Sequence, residues 1–113
     1  MNQLFIPTDK GIRVVMARNI IRIEALSNYS KIYFDNEKTL TVAKVLQWFE
    51  ETLPIDIFCR IHRTHIVNKM FIANLSYDNK VTLKNGEQLQ ISRRKKNLVR
   101  ERVTIGSGIN QAI

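Results

Sequence analysis

Short apolar runs broken by turn residues fill the first third of the chain. QLFIPT and IRVVMA, separated by Asp9, Lys10 and Gly11, predict a first pair of short strands. In NIIRIEAL, Ile21, Ile23 and Ala25 alternate with Arg22 and Glu24, the period of two expected of a strand with one face in water. KIYFD and TLTV follow as strands around DNEK, whose Asp35 and Asn36 suit a hairpin turn. LSNYSKI, residues 26–32, reads as a polar connection between two strands.

The period then changes. In VAKVLQWFEETL, Val42, Val45, Leu46, Phe49 and Leu53 share one helical face, Thr41 is placed to cap the helix and Pro54 ends it. IFCRI returns to strand character, with Cys59 and Ile61 pointing one way and Arg60 and His62 the other, so that Arg63 and Thr64 begin the departure from the sheet. Asn68 caps a short helical turn through KMF. IANLSYD, KVTLKNG and EQLQIS are strands again, with turns at Asp78-Asn79 and Asn85-Gly86. SRRKKNLVRERV predicts a last helix with Ser92 at its N-cap and Leu98, Val99 and Val103 on its apolar edge. Residues 1–103 form the expected domain, and 104–113 a tail.

Composition sharpens this picture in two ways. A chain of 113 residues suits one domain with a core of its own, and a formal charge of +8 with ten acidic residues points to an anionic partner, nucleic acid or an acidic surface. Cys59 is the only cysteine, so no internal disulfide can form, and a reducing, cytoplasmic compartment is expected. No run of eighteen apolar residues occurs, and no membrane association is expected. A zinc site at His62 and His65 lacks a neighbouring cysteine or acidic pair, and neither a Gly-rich phosphate loop nor a nucleophile elbow is present. The expectation is a binding protein without catalysis, metal or cofactor.

The basic residues suggest where an anion sits. Arg93, Arg94, Lys95 and Lys96 crowd the first turn of the last predicted helix, where the helix dipole disfavours each exposed cation by about 0.3–1 kcal/mol. A phosphate there reverses the sign of that cost, because free amides and cationic side chains then converge on it. A merely solvated, solubilising face is the plain alternative. Arg63, leaving its strand, has the planar fork that grips guanine O6 and N7 or a phosphate. His62 and His65 read as hydrogen-bonded packing residues. In LSNYSKI, Asn28, Ser30 and Lys31 offer polar groups and Tyr29 a flat ring. An RNA-binding β-domain and a basic module for acidic proteins or anionic surfaces remain open beside duplex DNA.

IEALSNYSKIYF, FCRIHRTHIVNKMFI and VTLKNGEQLQISRRKKNLV, in that order, resemble the LytTR-type DNA-binding domain of bacterial response regulators in two-component systems, over about Phe5 to Arg102. The resemblance implies a mainly β fold, an elongated stack of small antiparallel sheets with two or three short helices. It implies a sequence-specific transcription regulator whose loops enter successive major grooves of double-stranded DNA. Base contacts would fall on Ser30, Arg63 and Arg94, and phosphate contacts on Asn28, Lys31, Thr64, Arg93 and Lys96. Also implied are a homodimer on repeated half-sites and an upstream receiver domain or sensor partner. Thr64 stands where the family more often has Ser, and His65 where it usually has Tyr or Phe.

Overall fold

Between residues 20 and 68 the strand-forming segments join in one five-stranded antiparallel sheet. The computed structural model describes residues 3–36 and 38–107. Strands β3 (Ile20–Leu26), β4 (Tyr29–Phe34), β5 (Leu40–Val42), β6 (Phe58–His62) and β7 (His65–Asn68) lie side by side in the order β5-β4-β3-β7-β6. Ahead of them, β1 (Gln3–Thr8) and β2 (Gly11–Met16) form a separate hairpin, and behind them β8 (Ile72–Leu75), β9 (Lys80–Leu83) and β10 (Gln88–Gln90) form a meander. Helices α1 (Leu46–Thr52) and α2 (Lys96–Ser107) and three short 3-10 turns connect and cover the sheets, in a molecule measuring 48 × 29 × 25 Å. The expected elongated stack of small sheets is what the chain forms.

The central sheet divides two cores. On one face, Ile20, Ile23, Ile32, Val42 and Ile66 pack with Leu46 and Phe49 of α1 and with Leu4, Ile6 and Val15 of the first hairpin. On the other, Ile21, Cys59, Ile61 and Val67 meet Val81 and Leu83 of the meander, Ile91, and Val99 of α2. This second cover corrects the reading of β3 as a strand with one wet face. Arg22 is only 7% exposed. Its guanidinium meets both carboxylate oxygens of Glu87, at 3.0 and 3.1 Å, and lies 3.7 Å from the centre of the Tyr33 ring. A charge at that depth needs such partners, and here they tie the meander to the central sheet. The same hydrogen bonds from Arg22 hold the Glu87 carboxyl below its usual range.

Three further expectations are corrected. Helix α1 begins at Leu46 behind Val45, which makes no side-chain cap bond, because Thr41 and Val42 instead pair with Lys31 and Ser30 of β4. Two β-branched residues beside an open strand edge gain more as strand than as a first helical turn. LSNYSKI shrinks to the two-residue turn Ser27-Asn28, with Ser27 at φ 57, since β4 already starts at Tyr29. At the other end α2 runs on through Ser107 instead of ending at residue 103, and positions 108–113 of the expected tail lie outside the described residues.

Candidate nucleic-acid interface

Antiparallel pairing brings distant residues to one end of the central sheet. Turn Ser27-Asn28 joins β3 to β4, and turn Arg63-Thr64 joins β6 to β7. Because β3 and β7 are neighbours, with Glu24 opposite His65, both turns leave the sheet at the same end. A backbone bond from Ala25 N–H to the Thr64 carbonyl, 2.9 Å, fastens one to the other. A third segment joins them: Ser92 N–H donates to the Ile61 carbonyl at 2.9 Å, which sets Arg93–Lys95 beside the end of β6.

The third segment differs in detail from the expected helix start. Arg93–Lys95 form a 3-10 turn, closed by Lys95 N–H to the Ser92 carbonyl at 3.0 Å, and α2 proper begins at Lys96. Ser92 occupies the N-cap position, yet its hydroxyl makes no cap bond. Arg93, Arg94 and Lys96 are exposed, as is Arg63. Among the described residues no ion pair neutralises any of these four.

The Arg63 turn is held from several sides. Arg60 donates to the Arg63 carbonyl at 2.6 Å and, at a longer 3.4 Å, to the His62 carbonyl, while its third bond, 2.8 Å, goes to Glu50 of α1. Thr64 Oγ1 lies 2.9 Å from His62 Nδ1 and 3.0 Å from His65 Nδ1, and Thr64 N–H donates to His62 Nδ1 at 3.2 Å. Both histidines therefore serve as hydrogen-bonded packing. Burial, then the nearby Arg22 charge, holds His65 below the usual imidazole pKa, against an opposing pull from Glu24.

The residues of the β3–β4 hairpin fare unequally. Asn28 and Tyr29 are exposed and Lys31 is half-buried, its amine 5.2 Å from the Tyr33 ring centre. Ser30 is fully buried, and its hydroxyl donates to the Lys44 carbonyl at 2.6 Å. Ser30, the residue expected to contact a base, sits opposite Val42 with its side chain enclosed and not facing solvent. That same bond holds the Lys44 carbonyl, while the Lys44 amine lies 5.3 Å from the Trp48 ring centre.

A family model, the LytTr DNA-binding domain, matches residues 10–104. Among solved structures, the LytTr DNA-binding domain of a protein from Bacillus cereus described as a methyl-accepting/DNA response regulator superposes with a TM-score of 0.77 at 27% sequence identity. The alignment covers 92% of this chain and 98% of that one. No curated protein sequence matches the chain.

Proposed function

This chain belongs to the LytTr DNA-binding domain family, and from that premise we propose that it is a sequence-specific transcription regulator reading duplex DNA with its turns. The observation that carries the reading is the pair of backbone bonds, Ala25 to Thr64 and Ser92 to Ile61, that gathers three separate segments into one cationic end. Arg63 and Arg94 read base edges, each able to grip guanine through two parallel bonds. Arg93, Lys96, Lys31 and Asn28 hold phosphates and set the register on the duplex. Thr64 has its hydroxyl shared between two imidazoles, so its part is to shape the turn and not to hold a phosphate. With Ser30 enclosed, the β3–β4 hairpin contributes phosphate contacts from Asn28 and Lys31 rather than a base contact. Turns standing on one end of a sheet enter successive major grooves on one side of the helix. Two copies on repeated half-sites, and an upstream receiver or sensor supplying the signal, complete the proposal.

Affinity in such a complex comes largely from counterion release. About five neutralised phosphates give a slope of log K against log salt near −4.5. Selection from a random duplex pool, followed by binding titrations on the selected site and its single-base variants, tests the assignment. Arg63→Ala is expected to lose about tenfold or more of discrimination at one base pair. Lys96→Ala is expected to weaken every duplex alike and to make the salt slope shallower by about 0.9. Equal losses from both variants with an unchanged ranking would refute this division, and stronger binding to single-stranded RNA than to duplex would refute the DNA reading itself.

A further inference from the structure

Arg60 lies one layer behind the exposed cations, its side chain 20% exposed, and touches no part of the surface assigned to DNA except through Arg63's own backbone. It faces α1, opposite Ile66 of β7, and its guanidinium spends all three of its bonds on two jobs. Two bonds hold successive carbonyls of the turn, those of His62 and Arg63, and the third is anchored on the Glu50 carboxylate. An ordinary surface ion pair would contribute little and would leave the turn alone. Here the pair ends on the two peptide groups that set the direction of the Arg63 side chain.

A two-bond contact with a base tolerates little error in position, and a side chain as long as Arg transmits any tilt of its backbone to its tip. We propose that Arg60, anchored by Glu50, is a positioning residue for base reading: it fixes the departure of Arg63 from its turn. The proposal rests on the assignment of Arg63 to a base contact. Only a planar guanidinium serves three acceptors in fixed directions, so lysine at position 60 supplies the charge without the brace.

Charge makes the test decisive. Glu50→Gln raises the net charge of the chain by one, so attraction to any duplex stays level or grows. Loss of the brace acts in the opposite direction on discrimination at a single base pair. The full chain and its Arg63→Ala, Arg60→Gln, Arg60→Lys and Glu50→Gln variants are titrated with the selected duplex, its single-base variants and an unrelated duplex, with thermal melts alongside. Expected for Glu50→Gln is binding to the unrelated duplex at least as tight as wild type, together with a three- to tenfold loss of preference at the base pair that Arg63→Ala identifies, an effect of less than the full pair's worth. Arg60→Gln and Arg60→Lys are expected to lose the same preference, with the base pair read by Arg94 unchanged.

Wild-type preference retained in both Glu50→Gln and Arg60→Gln would overturn the proposal, as would an equal loss at every base pair. If Arg60→Gln does not fold, Arg60→Lys decides beside Glu50→Gln, since it keeps the charge and removes the planar fork. A wild-type chain indifferent to sequence, or an Arg63→Ala variant with unchanged ranking, overturns the base-reading assignment and the brace with it. Intact ranking by Arg63 combined with indifference to residues 50 and 60 overturns the brace alone.

Discussion

Ser30 and Arg63 fall on opposite sides of the molecular boundary, one enclosed and one exposed. Ser30 has a buried hydroxyl committed to the Lys44 carbonyl, so Ser30→Ala leaves that acceptor without a partner and is expected to cost about 1–3 kcal/mol of stability in a urea melt. The ranking of duplex variants should be unchanged by it, which separates a structural serine from a reading one. The imidazole of His65 makes a second prediction. Its folded pKa lies below the unfolded value of about 6.5, so the unfolded chain takes up the proton that the folded chain resists. Its contribution is complete above that value and is lost as pH falls below it toward the folded pKa. Melting temperature should therefore drop between pH 7.5 and pH 5.5, and by less in His65→Asn. A drop of equal size in both proteins would assign the effect to another group.

At the scale of elements, local chemistry was legible where it was self-sufficient. Asp9-Lys10, Asp78-Asn79 and Asn85-Gly86 mark turns that form where expected, and Asn68 caps its helical turn by accepting from Met70 N–H at 2.8 Å. Its other bond, from Nδ2 to the Ile20 carbonyl at 2.9 Å, reaches 48 residues away and has no local signature. The start of α1 is hidden for the same reason: Val42 fits a helical face by spacing, and only the open edge of β4 makes a strand of it. The second site turn was half legible. Arg63 was expected to leave a strand, whereas the return strand β7 is disguised by His65 and by the register shift between Arg60 and His62. The basic cluster at Arg93, Arg94, Lys95 and Lys96 is visible in the sequence, whereas the 3-10 turn of Arg93–Lys95 beside the bond from Ser92 to Ile61 has no local signature.

For the whole molecule, periodicity spoke to one face of the central sheet and was silent about the other. Alternation in β3 suggested water against Arg22, and the meander and its Glu87 are there instead. Ile20, Ile21, Arg22 and Ile23 are consequently all enclosed, four successive positions on a strand with a partner at each edge. Amide protons on that stretch can meet solvent only when the molecule opens as a unit. In deuterium labelling they should be the last to exchange, with β7 beside them, while the exposed turn at Ser27-Asn28 exchanges early. The fingers laid against the double helix would thus be short extensions of the stiffest backbone in the chain.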